Sequence, residues 1–483
     1  MPASEVTADG RVIAPLNIKN PAPLLDVRGF QFAAAAAVGL SPGPSGPPSG
    51  PKPAQEQSSV KQVREQLHEP GGPGTNPRDP LPFPLSHFKG AYAGNGFNLI
   101  WRPKTFPGTT VPRTPDSGPA DHILELNLTT EQMTFGSTLG SIPNRRFNDQ
   151  PDIFLGGMPY FQTVQKVEDE STGLGNKPRT TAGSGIHFET GVWLSVPAAT
   201  FQGGRASVVR MASIPHGTTI NAQGFIPLKD SVSVTGGAPG GPNIHDVDTT
   251  PFRIDNPQSK IPFPAMFATP GKTNILRLPQ NLDKFIEKGT ITSDIIKNPN
   301  LVLKRALKGA KVLETTTFEV STGPPKSELS GGGTANIAFL GGRPQPAKPG
   351  VAPTFGTTVA PGRQPGDNPN AHADFVTARF WIEHVEYTVR VPELPPNATV
   401  ELLPDIASDS TAPTPQFAIT APDTGVPASG KVIKVPGIQI QYSQVVNLNF
   451  GPGGNMLTWP HVSVATLVPV DPQPYKMTAK DLK

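Results

Sequence analysis

The stretch Leu457-Thr458-Trp459-Pro460-His461-Val462-Ser463-Val464-Ala465-Thr466-Leu467 decides the fold of this chain. Pro460 has no amide donor for a ladder, so His461 opens a strand beyond it. Strand alternation puts Val462, Val464 and Thr466 on one face and His461, Ser463, Ala465 and Leu467 on the other. A histidine among small residues on such a strand suits a barrel wall with an imidazole nitrogen free for a metal. The same pattern also fits a structural histidine on a half-apolar strand.

A second stretch points to the same architecture. In Gly185-Ile186-His187-Phe188-Glu189-Thr190-Gly191-Val192-Trp193-Leu194-Ser195-Val196-Pro197 one face is aliphatic. The other carries His187, Glu189, Gly191, Trp193 and Ser195. Two such unlike faces suit a barrel wall packed by helices or loops on one side. Gly191 inside the strand marks a bend or the close approach of another group. His187 and Glu189 either line a pocket or satisfy each other and the local backbone. The following strand, 206–214, runs into Pro215-His216-Gly217, which reads as a hairpin turn with His216 at its tip.

Composition agrees with a chain of turns and strands. Gly 50 and Pro 60 together exceed a fifth of the 483 residues, while 36% hydrophobic content still allows a large core. Lys+Arg 41 against Asp+Glu 38 leaves a net charge of +3, and the signs are interspersed. That balance speaks against a nucleic-acid stripe or a polybasic membrane anchor. Cys 0 excludes disulfides, thiolate metal sites and cysteine nucleophiles. No run approaches the length of a membrane span, and the N-terminal residues lack a signal-peptide pattern. The expectation is a cytoplasmic, mainly β protein.

Residues 1–84 read as a leader with a Pro/Gly-rich linker at 41–53, and with a short helix at 58–67. Residues 85–475 read as one large antiparallel barrel domain, and 476–483 as a C-terminal tail. Strands are expected at 97–101, 122–128, 160–167, 186–196, 206–214, 310–321, 334–340, 375–391, 438–450 and 461–470. Helical spacing interrupts them at about 279–309, where Gly289 and Gly309 occupy helix-ending positions. Long Pro/Gly-rich loops are expected at 341–370 and 392–431. No zinc-protease, nucleophile-elbow, phosphate-loop or dinucleotide motif is present. His372 and Asp374, beside a Pro/Asn loop, read as surface polar residues.

Taken in order, these segments resemble a much enlarged nitrobindin-type heme protein, a β-barrel of the calycin group. Phe88-Lys89-Gly90-Ala91-Tyr92-Ala93-Gly94-Asn95-Gly96-Phe97 is similar to the family's opening Gly-rich strand, with Tyr92 where Trp is usual. His187, Glu189 and Gly191 match its His-x-Glu-x-Gly strand, and Pro215, Gly217 and Gly224 match the turn and glycine that follow. His461 through Leu467 looks like the last strand, whose histidine binds heme iron. The chain also resembles longer bacterial and fungal proteins described as heme-binding or peroxidase-like, with which Asn298-Pro299-Asn300 is in keeping. The leader, the helical insertion and the two long loops are departures from the compact barrel.

The resemblance implies heme b with His461 as its metal ligand, and an open site for nitric oxide, peroxide or peroxynitrite. Thr458 or a backbone carbonyl would hold the second ring nitrogen. Trp193, Met211 and Phe380 are the candidate cofactor-binding wall residues, and each also reads as ordinary core. His187 and His216 are the candidate catalytic acid–base groups. Whether the protein turns over peroxide or peroxynitrite, and whether it self-associates, is left open. The alternatives are a heme-free carrier of an apolar small molecule and a structural or assembly protein.

Overall fold

The structure, a computed structural model, describes residues 81–103, 122–145, 152–167, 185–198, 205–214, 216–226, 246, 247, 249, 252, 253, 283–323, 332–336, 372–406, 412–450 and 457–483. Its strands are β1 (Gly90–Pro103), β2 (His122–Phe135), β3 (Ser141–Asn144), β4 (Ile153–Lys166), β5 (Gly185–Val196), β6 (Ser207–Ile214), β7 (Thr218–Phe225) and β8 (Phe252–Arg253). They continue as β9 (Lys311–Ser321), β10 (Gly333–Asn336), β11 (His372–Val391), β12 (Thr399–Leu402), β13 (Phe417–Thr420), β14 (Lys431–Phe450), β15 (Leu457–Pro469) and β16 (Gln473–Lys476). Three short helices, α1 (Asp283–Glu287), α2 (Ser293–Lys297) and α3 (Leu301–Ala306), precede β9.

Ten strands close into an antiparallel barrel in the order β1-β2-β4-β5-β6-β7-β9-β11-β14-β15, with β15 returning to β1. The closing register pairs Ile100 with His461, Asn98 with Ser463 and Gly96 with Ala465. Closure leaves the main sheet without long free edges. It requires tight bends, and the glycines supply them. A Cβ on Gly96 would sit 2.2 Å from the Val464 carbonyl oxygen, and one on Gly191 would sit 2.1 Å from that of Met211.

The alternation seen in the sequence sorts three cores. Inside the barrel, Met133, Phe135, Tyr160, Trp193, Phe318, Phe380, Ile440 and Leu467 pack around Leu85 and Phe88. The 3-10 turn Leu85–His87 delivers those two side chains as a plug. Phe88 stacks on Phe135 with ring centroids 4.6 Å apart and meets Trp193 edge-on at 5.4 Å. Outside the barrel, Phe97, Leu99, Trp101, Leu124, Leu126, Val462 and Val464 are covered by Phe285, Ile295, Ile296 and Leu303 from the helices. Thr292 caps α2 by accepting the Ile295 amide. Gly289 and Gly309 take positive φ values, 68° and 77°, as helix-ending glycines do.

The third core lies where β11 and β14 continue as a hairpin: Val389, Val391, Ile433 and Val435 pack against Phe417, Ile419 and Met477. Here β12, β13 and β16 form a separate small sheet. Much of 392–431, a long loop by its composition, is thus structured. Residues 476–483, which read as a tail, carry Met477 buried in this core, and Tyr475 donates to Asp481 at 3.1 Å. The segment Thr218–Phe225, not among the expected strands, is the strand β7, with Ile220 and Ala222 facing the barrel core. The helix expected at 58–67 and the linker at 41–53 lie outside the described residues.

Candidate functional site

The inner face of β15 carries Leu467 and Ala465 into the packed half of the barrel and then Ser463 and His461 toward the other half. The outer face gives Val462 and Val464 to the helix-covered core, so the partition read from the sequence holds. His461 is paired with Val446 on β14 and with Ile100 on β1. Asn98, buried on the inner face of β1, directs its Nδ2 at both His461 Nε2 and Ser463 Oγ, the latter at 2.9 Å. Its Oδ1 accepts from Asn127 Nδ2 at 3.3 Å.

The far side of the same level is apolar. Val446 is paired with Val376 on β11, and Val376, Ala378, Val320 and Ile220 all belong to the inner core. The surroundings of His461 are therefore polar toward β1, β2 and β15 and aliphatic from β7 to β14.

Burial pushes His461 down to about 3, with smaller contributions from His187 and His216. Its imidazole is neutral at physiological pH, the state in which one ring nitrogen keeps a lone pair. His187 enters from β5, and His216 from the β6–β7 turn; their rings are 5.7 Å apart. Gly217, with φ 110°, closes that turn by donating its amide to the Ile214 carbonyl. His216 Nε2 lies 3.1 Å from the Ile186 carbonyl oxygen, so as a donor it fastens the turn to β5.

A buried polar network lies on the inner faces of β2, β4, β5, β6 and β14, beside the aromatic plug. Glu189, fully buried, accepts from Arg210 Nε at 3.0 Å, from Arg210 Nη2 and from Tyr160, and lies 3.4 Å from His187 Nε2. Burial alone would raise Glu189, but the Arg210 guanidinium overrides it and holds the carboxyl at about 2. Arg210 also donates to Gln444 Oε1 at 2.6 Å. Glu131 accepts from Tyr442, from Gln162 Nε2 at 3.1 Å and from Thr129 Oγ1 at 3.1 Å, and burial raises its carboxyl. One buried carboxylate is neutralised by an arginine; the other is surrounded by neutral donors.

The three histidines named from the sequence thus lie within electrostatic reach of one another. The three proposed wall residues do not join them. Met211 points outward from β6 and is 44% exposed, because strand alternation gives its neighbour Arg210 the inner face. Trp193 and Phe380 are inside but belong to the plug, with ring centroids 5.3 Å apart. Trp193 lies six residue steps along β5 from His187, about 20 Å of strand. The Thr458, His372 and Asp374 side chains lie outside the described residues. The basic face of α3 is partly engaged: Arg305 donates to the Gly289 carbonyl at 2.9 Å, and Lys304 lies 3.4 Å from Asp246.

Sequence reading missed Asn98, Asn127, Glu131, Gln162, Arg210 and Tyr442. A signal existed at Arg210, a single charge within Val208-Val209-Arg210-Met211-Ala212, where only a buried partner reconciles the charge with its neighbours.

No family model matches the chain, and no curated protein matches it. Among solved structures, the crystal structure of Rv2717c from M. tuberculosis is similar at 11% identity, covering 81% of this chain and 100% of that chain with a TM-score of 0.25. The barrel assignment rests on the strand pairing itself.

Proposed function

We propose that this chain is a nitrobindin-like, heme-binding barrel in which His461 would hold the iron and the bound heme would take small ligands. The observation that carries this reading is a neutral imidazole on the inner face of the last barrel strand, beside an aliphatic wall. A neutral imidazole is the donor heme iron takes, and aliphatic neighbours suit a largely apolar macrocycle. Bound heme b would supply an iron centre able to take nitric oxide, peroxide or peroxynitrite.

The chain's own residues divide the remaining work. Buried Val376 and half-buried Val446 make the side of the site facing β11 and β14 apolar. His187 and His216 are the groups able to take or give a proton there, and Glu189, fixed by Arg210, orients His187. Trp193 and Phe380 belong to the packed aromatic core of the barrel. Peroxidase-like turnover would use His187 or His216 as the acid–base group, and binding without turnover needs neither.

The test is a hemin titration of the purified chain, read in the ultraviolet–visible spectrum beside His461→Ala. A Soret band that saturates at one heme per chain and collapses in the variant supports the reading. A folded wild type that stays colourless sinks it and leaves the heme-free carrier, whose apolar ligand would be extracted with solvent and identified by mass spectrometry. Among the described residues no helix is long and apolar enough to cross a membrane.

A further inference from the structure

We infer that Asn98 is a positioning residue that fixes the tautomer of His461 and caps its Nε2 lone pair until a metal centre displaces the amide. The metal-binding half of this inference rests on the function proposed above; the tautomer half stands without it. Asn98 lies on the inner face of β1, diagonally across the closing seam of the barrel from His461. The cross-strand register of Ile100 with His461 and Asn98 with Ser463 brackets its carboxamide between those two side chains.

Every polar atom of that carboxamide is assigned. Nδ2 has two hydrogens, one directed at His461 Nε2 and one at Ser463 Oγ, 2.9 Å away. Oδ1, at the end of the amide away from the histidine, accepts from Asn127 Nδ2 at 3.3 Å. An N–H group can meet Nε2 only if that nitrogen carries no hydrogen. In a neutral imidazole the proton then resides on Nδ1. With Nδ2 facing the ring, the favoured tautomer is the one whose Nε2 lone pair is directed at Asn98 on β1. Asn127 supports the arrangement from β2, where its own Oδ1 is buried without a hydrogen-bond partner among the described residues.

The cap has a cost for binding. For His461 to hold a metal through Nε2, the Asn98 hydrogen bond would have to give way, and its freed N–H would remain beside the site as a donor. Removing the donor while keeping the shape, Asn98→Leu, tightens hemin binding by about fivefold, the effect of one net hydrogen bond. Asn98→Asp does the opposite. A carboxylate in this place accepts, so it draws the proton onto Nε2 and blocks the lone pair, weakening hemin binding by about tenfold or more.

The experiment is a long-range ¹H–¹⁵N correlation spectrum of the His461 ring in the ligand-free full chain. It is assigned by the signals lost in His461→Gln and followed by hemin titration of each Asn98 variant. The expected result is the Nδ1–H pattern in the wild type, the Nε2–H pattern in Asn98→Asp, and the affinity order Leu above Asn above Asp. A wild type with the proton on Nε2 overturns the inference even if no variant folds. An Asp variant that keeps the wild-type tautomer also overturns it. If the tautomers are as stated and no form binds hemin, the tautomer assignment stands and the heme reading alone fails.

Discussion

Glu383 gives the sharpest stability prediction. It lies on the outer face of β11, fully buried, with Thr315 beside it on β9 and Gln439 beside it on β14. Gln439 Nε2 donates to its Oε2, while its Oε1 and the Thr315 hydroxyl have no partner among the described residues. Burial pushes the carboxyl up to about 8 from an ordinary value of 4.5, and the Gln439 bond offsets only part of that. The folded state therefore holds the proton more tightly than the unfolded chain does. Stability from this group is fully present below pH 4.5, falls as pH rises, and is gone above pH 8. The difference corresponds to roughly 5 kcal/mol across that window, an upper bound because buried sites relax. Glu383→Gln keeps the shape and removes the charge. Urea unfolding of both proteins at steps from about pH 5 to 9 should show the variant gaining on the wild type as pH rises, by several kcal/mol at the alkaline end. Parallel stability curves for the two proteins would refute the reasoning.

Further predictions follow from the barrel interior. Arg210→Met leaves Glu189 buried without its counter-charge and should cost about 3–5 kcal/mol in urea unfolding, with Glu189→Gln in the same chain recovering much of the loss. Gly191→Ala places a methyl 2.1 Å from the Met211 carbonyl oxygen and 2.9 Å from the Tyr160 ring, so it should lower stability by about 1–3 kcal/mol or more and shift the thermal midpoint downward. A Gly191→Ala protein with an unchanged midpoint would show that the strand crossing is looser than described.

The strands that the sequence disclosed are those whose two faces differ in kind. Along β15 and β5 the aliphatic residues alternate with small, polar or aromatic ones; burial alternates over His461–Val464, whereas Trp193–Val196 and Val464–Val468 are buried on both faces. Which face points inward is harder to read, because this barrel inverts the common pattern. Its β1, β2 and β15 wall places Leu99, Leu126 and Val462 outside under helices, and Asn98, Asn127 and His461 inside. The choice of face depends on a helical layer supplied by residues 283–306, nearly two hundred positions away from β1. β7 was illegible because its inner positions are Ile220, Ala222 and Gly224, too small to stand out among Thr, Asn and Gln.

The candidate site was legible in its histidines and obscure in their surroundings. Residue type and motif single out His461, His187 and His216, and the fold brings His187 and His216 together with rings 5.7 Å apart. Met211 could not be placed by type, since its exposure depends on the inner position taken by Arg210. Trp193 and Phe380 are interior, as read, but their level in the barrel is set by the plug from Leu85 and Phe88, a contact between distant segments that no local pattern encodes. Asn98 required the β1–β15 seam, the last pairing that closes the barrel.

The central claim is that His461 presents its ring nitrogen to heme iron, and cavity rescue tests it most directly. His461→Gly removes the imidazole and leaves its space. The account predicts that this variant gives a weak, shifted Soret band with hemin, and that added imidazole restores the wild-type spectrum in a saturable way. A His461→Gly protein that binds hemin with the wild-type spectrum and does not respond to imidazole would contradict it.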